Sequence, residues 1–407
     1  MGAVALGFSV IVGVLSLIQV VGLCFSLQQR DVSLWKIAGV TQRSSRLILS
    51  SEALLVTISA GIVGTVASVV LWTPYSEFVL ESGLPKSDSI SGSIPISALT
   101  IGIAISCLTC LLAGARASRK VSRTNVIDGL SGNNAQSRGA RPGWKIFISA
   151  LLGVFLIAGA GVLYRLIAEA DRITDPTAIG DFLTSYPGMG MLLCVVLGFI
   201  APIIVRALTT IFRHLPLPSV SYFLASREAS YNIRVSGSLV TTISLAAVAV
   251  GVIMAWIDKL YSVLAGDPNS SVSAPPEQVI LLLWGGIITG CVAAASLSFS
   301  TLQERRNDVA LLLASGYTSG GVYRKCFWEC LLYFAMTIII SYGVILINEF
   351  AMVSALQSGA VPRAEFSWPG WQGPAVASLG VFISSIILLL ITWSSLRKSN
   401  QLTTRRS

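Results

Sequence analysis

Histidine, cysteine and carboxylate side chains do most catalytic and metal-binding chemistry, and this chain arranges few of them usefully. Its 407 residues include one histidine, His214, and seven cysteines. Cys107 and Cys110 have the spacing of half a zinc or thiol redox site, but no second ligand pair accompanies them. The cysteines lie in or beside apolar runs, where a thiol packs as a small apolar group. The sequence therefore predicts a non-catalytic protein without a metal site or a cofactor of its own.

Two carboxylates remain as candidates for a functional role. Glu52 and Glu329 each stand near the start of a long apolar run. A carboxylate at that end of a helix is stabilised by the positive end of the helix dipole. Arg46 and Arg324 are the nearby cations with which they could pair. We expect structural or coupling roles, and a proton relay is the alternative.

The composition identifies the class of protein that holds these side chains. Hydrophobic residues make up 54% of the chain, charged residues only 12%, and the mean hydropathy is +0.77. Soluble globular chains are about 25% charged, and disordered chains lack apolar residues to bury. The composition therefore excludes both classes and indicates a protein that crosses the membrane many times.

Apolar runs long enough to span a bilayer recur along the whole chain. A helix of about 20 residues crosses the hydrocarbon core, and inside a membrane only a helix or a closed barrel satisfies its backbone. We predict an all-α membrane protein with about nine transmembrane helices. The predicted spans are 3–26, 49–72, 97–116, 146–167, 185–210, 236–257, 279–300, 326–348 and 373–395.

Lysine and arginine predict the orientation, because these residues are retained on the cytoplasmic side. With these spans, one side of the membrane carries 23 of the 28 basic residues. We therefore expect a multi-pass protein of the cell (plasma) membrane with a cytoplasmic C-terminus and its N-terminus outside. The net charge of +9 is then a topology signal, and no soluble basic domain is left to bind nucleic acid.

An internal repeat relates the loop after the first span to the loop after the seventh. Residues 27–39 align with residues 304–316 at an offset of 277, which continues without gaps into the following helix. Both copies lie on the same predicted side, so they are parallel repeats. Among the identical pairs are Asp31/Asp308, Val32/Val309, Leu34/Leu311, Gly39/Gly316 and Glu52/Glu329.

Each copy predicts a short amphipathic helix that ends at a C-cap glycine. One interpretation is a helix that merely lies on the membrane surface. The other is a docking helix for a cytoplasmic partner, which we favour because the element occurs twice in one register. The predicted contact residues are Arg30, Asp31, Val32, Leu34, Trp35 and Gly39 in the first copy and Arg305, Arg306, Asp308, Val309, Leu311, Leu312 and Gly316 in the second.

These residues resemble those of a known family. The run Gln-Glu-Arg-Arg-x-Asp-Val-Ala-Leu-Leu-Leu-Ala-Ser-Gly-Tyr at 303–317, followed by Glu329, is similar to the motif of FtsX-like (MacB-type) ABC transporter permeases. The first copy resembles the motif more loosely. Residues 117–130 and 224–234 resemble segments that flank such domains. The two domains of the resemblance cover 1–130 and 220–400.

The resemblance implies a function. The amphipathic helices would be coupling helices for two copies of an ABC ATPase, which would bind ATP and Mg²⁺. Such permeases export or extract amphiphiles or peptides, confer resistance to antimicrobial peptides, or transmit force. The chain has no phosphate-binding G-x-x-x-x-G-K-[ST] loop, so the ATPase would be a separate subunit. A secondary transporter and a membrane scaffold for mechanotransmission are the alternatives.

The chain departs from the family in its first domain. There, 1–130 has no counterpart of the span 236–257, nor the outside domain that follows that helix in the family. We expect another membrane subunit or an upstream segment to supply both, with lipid filling an apolar groove otherwise. Spans 1–3 should then superpose on spans 7–9. Residues 131–219 would be a linker with two transmembrane helices, and 401–407 a cytoplasmic tail.

Overall fold

The structure of the protein is a computed structural model, and it consists of long α-helices. It describes residues 2–81, 96–122, 158–159, 161–162, 165, 176–215, 219–264, 276–300, 302–358, 366, 368 and 370–404. No strand occurs among these residues, as expected for an all-α protein. The helices are α1 (Gly2–Leu27), α2 (Gln29–Ile37), α3 (Gln42–Glu81), α4 (Ile96–Ser122), α5 (Pro176–His214), α6 (Val220–Tyr231), α7 (Ile233–Leu264), α8 (Pro276–Ser300), α9 (Leu302–Ala314), α10 (Ser319–Ser358) and α11 (Gln372–Thr404).

Seven of the described helices are long and apolar enough to cross a membrane. They are α1, α3, α4, α5, α7, α10 and α11, and each contains one of the predicted spans. The predicted span 279–300 lies in α8, whose described apolar part is the shorter Gly285–Phe299. The predicted span 146–167 falls almost entirely outside the described residues. Several helices with the length and apolar composition of membrane spans are therefore confirmed, and the number nine stays a prediction.

Two helices extend well beyond their predicted spans. The helices α3 and α10 each have 40 residues, which corresponds to roughly 60 Å against about 30 Å of hydrocarbon. We expected outside loops from 73 and from 349, but the helices continue to Glu81 and Ser358. This correction has a simple reason. Hydropathy predicts only the part of a helix that lies in the lipid. The helix itself continues for as long as its backbone hydrogen bonds continue.

The chain divides into two compact units. One comprises Met1–Ser16 with Ile146–Ser407, and its centre is α7. This helix packs against α5, α8, α10 and α11, and its apolar stretch Val235–Asp258 is buried throughout. Glycine permits the closest of these contacts: a Cβ atom at Gly251 would lie 2.2 Å from the Ile345 side chain.

The other unit comprises Leu17–Lys145 and is built from the end of α1 with α2, α3 and α4. Thr57 of α3 donates a hydrogen bond to the Cys110 sulfur of α4 over 2.7 Å. Most of the remaining α3 surface is open. Leu55 is 66% exposed, whereas its counterpart at the 277 offset, Leu332 of α10, is 5% exposed and lies beside residues of α5 and α6.

The bounds of α3 and α10 coincide at this offset, since 42 and 81 correspond to 319 and 358. The contacts of α2 with α3 and α4 likewise correspond to those of α9 with α10 and α11. The superposition of the complete halves and the domain boundaries stay predictions.

Candidate functional site

The helix α2 is anchored along one side and open on the other. Val32 is fully buried and packs in a small core with Phe25, Leu49 and Val121. Leu34, two residues along the chain, is 47% exposed. Side chains two positions apart on a helix point in nearly opposite directions. The valine therefore anchors the helix, and the leucine faces outward. The predicted contact residue Val32 is therefore not accessible to a partner.

The helix α9 repeats this arrangement in the same register. Val309 is buried against Val322, with Leu313 and Tyr317 packed around the pair. Leu311 is 69% exposed. The valine is again an anchor and the leucine is again open.

Both helices end in the same left-handed glycine. Gly39 has φ 89° and Gly316 has φ 84°, the region that costs other residues about 1–2 kcal/mol. The amide of Val40 donates to the Trp35 carbonyl, and the amide of Tyr317 donates to the Leu312 carbonyl, each over 3.0 Å. These i to i−5 bonds are those of a Schellman motif, which satisfies the last carbonyls of a helix. The predicted C-cap role of both glycines is confirmed.

The next helix also begins in the same way in both copies. Thr41 Oγ1 accepts a hydrogen bond from the Ser44 amide at 3.3 Å. Thr318 Oγ1 accepts from the Gly321 amide at 3.2 Å. Each threonine thereby satisfies one of the free amides at a helix start. The two helix–glycine–helix turns thus match each other hydrogen bond by hydrogen bond.

The charged residues of the two copies differ more than their backbones. Asp31 is exposed in the first turn of α2, where the helix dipole stabilises a carboxylate. Asp308 is half-buried in the middle of α9. Burial lowers the pKa of Lys36 from its usual value, because desolvation disfavours the charged ammonium. The side chains of Arg30, Arg305 and Arg306 lie outside the described residues.

The remaining predicted contact residues, Trp35 and Leu312, occupy equivalent positions. Both are partly buried, and Trp35 packs against the core that contains Val32. Only part of each side chain is therefore accessible to a partner, and the exposed leucine is the more accessible contact in each copy.

The prediction that Glu52 and Glu329 stand at helix starts is wrong, because α3 begins at Gln42 and α10 at Ser319, ten residues before each carboxylate. The helix dipole acts within about the first turn, so it does not stabilise them. The two residues are equivalent in sequence but not in surroundings. Glu52 is exposed and accepts a hydrogen bond of 2.9 Å from Gln28, at the start of α2. Glu329 is buried and accepts one of 2.6 Å from the Tyr333 hydroxyl, which also meets Ser236 of α7 at 3.4 Å. Glu329 is therefore part of a polar contact between α10 and α7. Pairing with Arg46 or Arg324 stays a prediction.

The structure also places an ion pair that the sequence analysis missed. Lys325 of α10 pairs with Glu228 of α6, and only 10% and 16% of the two side chains are exposed. No pairing was predicted for Glu228, because its burial beside Lys325 depends on where α6 packs against α10.

No chemical centre accompanies these turns. In the described parts of the chain, no three His, Cys, Asp or Glu side chains group as metal ligands. The seven cysteines are free, and His214 is exposed. What the site offers is two equivalent surfaces, each with one exposed leucine on an anchored helix.

Comparison with known proteins finds a family similarity for one of the two copies. Residues 3–126 match the family model of the FtsX-like permease C-terminal domain. No curated protein and no solved structure matches the chain. The match covers α1 to α4, the copy whose motif is the looser of the two.

Residues 3–126 are thus similar to an FtsX-like permease C-terminal domain, in a chain that has several apolar helices long enough to cross a membrane. Permeases of this family are typically non-catalytic membrane subunits, and they generally work with ABC ATPase partners.

Proposed function

We propose that this protein is the permease subunit of an ABC transporter of the FtsX/MacB-like type. Each of α2 and α9 would receive one copy of a separate ATPase, which binds ATP and Mg²⁺. Nucleotide-driven movement of the ATPases would be transmitted through the glycine turns into α3 and α10. The transporter would export or extract an amphiphile or a peptide, or confer resistance to antimicrobial peptides.

The shared geometry of Leu34 and Leu311 carries this proposal. An exposed leucine on a helix held by a buried valine is a knob that a groove on a partner can receive. The rigid C-cap and the N-cap behind it fix the start of the following helix. A push on α2 or α9 therefore moves α3 or α10 with it. Both turns lie on the side predicted to be cytoplasmic, where an ATPase would be found.

The test replaces the exposed leucines and leaves the anchors intact. The full chain is purified with its co-purifying ATPase, and the ATP hydrolysis rate is measured with wild type, Leu34→Asp, Leu311→Asp and the double variant. A desolvated hot spot is worth about 2 kcal/mol or more, so each single variant should weaken the complex roughly 30-fold. Leu215→Asp is the control, because this leucine is exposed but belongs to neither α2 nor α9.

The double variant should remain in the membrane and lose both ATPase co-purification and stimulated hydrolysis. Unchanged hydrolysis in the double variant, or the absence of any ATPase bound to wild type, would overturn the proposal.

A further inference from the structure

The short helix α6 is held firmly in place between two long helices. Ser219 caps it by accepting a hydrogen bond from the Tyr222 amide. The Tyr222 hydroxyl donates to the Phe212 carbonyl at the end of α5 over 2.5 Å, and its ring meets Trp328 of α10 edge-on at 5.3 Å. The Lys325–Glu228 ion pair fixes the same helix further along. The orientation of α6 is therefore set by four separate contacts.

These contacts place α6 at the level where the membrane is expected to end. The apolar stretch of α5 ends at His214, that of α7 begins at Val235, and that of α10 begins at Ser319. The helix α6 connects the first two and packs against the start of the third. It therefore lies at the predicted cytoplasmic boundary of three helices.

The face of α6 that points away from these helices is aromatic and basic. Val220, Phe223, Arg227 and Tyr231 are all exposed. Spacings of three, four and four residues place them along one side of a helix. The Arg227 guanidinium lies 4.7 Å from the centre of the Phe223 ring. We call these four residues the α6 face.

Exposed aromatic and basic side chains continue beyond α6. Phe327 of α10 is exposed beside Trp328, which contacts α6. Arg206 and Arg213 of α5 are exposed too. The α6 face is thus one part of a cationic and aromatic boundary.

We propose that the α6 face rests in the headgroup layer of the inner leaflet and that Arg227 binds the phosphate of an anionic phospholipid. Aromatic rings concentrate at this depth, because one end of the layer is apolar and the other wet. The inner leaflet is negatively charged and attracts cations close to its surface. A protein partner is the other possible occupant. The membrane is favoured because α6 lies at the predicted span boundary of three helices.

The first experiment identifies what touches this face. The photoreactive amino acid benzoylphenylalanine replaces Phe223 in the full chain, which is reconstituted without any ATPase in vesicles of phosphatidylcholine and phosphatidylglycerol. After irradiation, mass spectrometry of the peptide should find a lipid adduct. The same replacement at Val63, an exposed residue inside the predicted span of α3, is the positive control, and at Leu311 the negative control.

The second experiment tests the role of Arg227. Native mass spectrometry measures how much phosphatidylglycerol, relative to phosphatidylcholine, stays bound to wild type, Arg227→Gln and the control Arg213→Gln. A basic residue close to an anionic leaflet contributes about 1 kcal/mol, so Arg227→Gln should reduce the preference about fivefold. Arg213→Gln should reduce it less, because among the described residues a ring lies under the Arg227 guanidinium and none under that of Arg213.

The results separate the possible occupants. A lipid adduct at Phe223 and Val63 but not at Leu311, with a reduced lipid preference for Arg227→Gln, supports the proposal. The proposal is overturned if the lipid adduct forms at Val63 alone, or if the lipid preference of Arg227→Gln is unchanged. It is also overturned if the same Phe223 replacement, irradiated in cell membranes, cross-links to a protein. These experiments contain no ATPase in the vesicle arm, so their failure is distinct from failure of the proposed function.

Discussion

The ion pair between Lys325 and Glu228 should be the main electrostatic contribution to holding α6 against α10. Both side chains are largely desolvated, at 10% and 16% exposure. Removing one partner of such a pair leaves an uncompensated buried charge and costs about 3–5 kcal/mol, against about 0–1 kcal/mol for a surface pair. For Glu228→Gln we expect the lower end, about 3 kcal/mol, because a little water still reaches both groups.

The cost can be measured as a shift in the thermal unfolding midpoint of the purified protein. Globular proteins unfold with an entropy of about 2.1 cal/mol/K per residue, so 3 kcal/mol in a chain of this length lowers the midpoint by roughly 4 °C. Arg324→Met is the matched control, because this adjacent cation is exposed, and it should leave the midpoint unchanged within about 1 °C.

A double variant separates the ion pair from its two members. Glu228→Gln with Lys325→Met removes both charges, and replacing a buried pair by neutral groups is often close to neutral in stability. The double variant should therefore be more stable than Glu228→Gln alone. If Glu228→Gln melts with wild type, or if the double variant is no more stable than the single one, the pair does not hold α6 in this way.

Two further predictions concern the turns and the topology. Gly316→Ala should lower the thermal unfolding midpoint by an amount equivalent to about 1 kcal/mol, because alanine is strained at positive φ. Gly64→Ala in mid-helix is the control and should not lower it. Equal effects of the two substitutions would contradict the left-handed turn. In a variant without native cysteines, a cysteine at Ser270 should react with an impermeant thiol reagent added to intact cells, and a cysteine at Ser137 should not; the reverse pattern would invert the predicted orientation.

Local features were the most predictable part of this fold. The end of α2 at Gly39 and of α9 at Gly316 follows from glycine and its neighbours, since a C-cap uses only the last turn of a helix. The apolar runs likewise predicted the cores of seven long helices, because the length of hydrocarbon fixes the length of the run.

Features that depend on packing could not be predicted. Val32 and Leu34 have similar apolarity, and only the position of Leu49 and Val121 decides that the valine is buried. The same holds for Lys325, whose partner lies 97 residues away in the sequence on a helix that was not predicted. In both cases, tertiary contacts decide which of several chemically similar residues is buried.

Glu52 and Glu329 show the same limit. Both were expected to be helix-start carboxylates with one role, yet one is exposed beside Gln28 and the other is buried beside Tyr333. The counterpart of Tyr333 at the 277 offset is Val56, which offers no hydroxyl. The difference between Tyr333 and Val56 was therefore present in the sequence. Its consequence for the two carboxylates could be recognised only once α7 was known to pack on α10.

The corresponding residues of α10, which α7 covers, and of α3, which are exposed, differ in polarity. On the covered face of α10, Tyr333, Thr337 and Ser341 are buried polar residues, and the latter two donate to carbonyls of their own helix. Their counterparts on α3 are Val56, Ala60 and Gly64, none of which carries a polar side chain.

Lipid tails are as apolar as leucine, so an apolar face gains no hydrophobic energy by exchanging lipid for another helix. A polar face gains only where the covering helix offers a hydrogen-bond partner, as Ser236 of α7 does for Tyr333. Val56, at the position of α3 that corresponds to Tyr333, has no group that could make such a bond. This position of α3 is therefore compatible with lipid as its neighbour. A polar residue introduced on that face, such as Val56→Asn, should destabilise the protein more than Leu34→Asn, because we expect Leu34 to face water or a partner. Equal effects of the two substitutions would mean that this face of α3 is not in hydrocarbon.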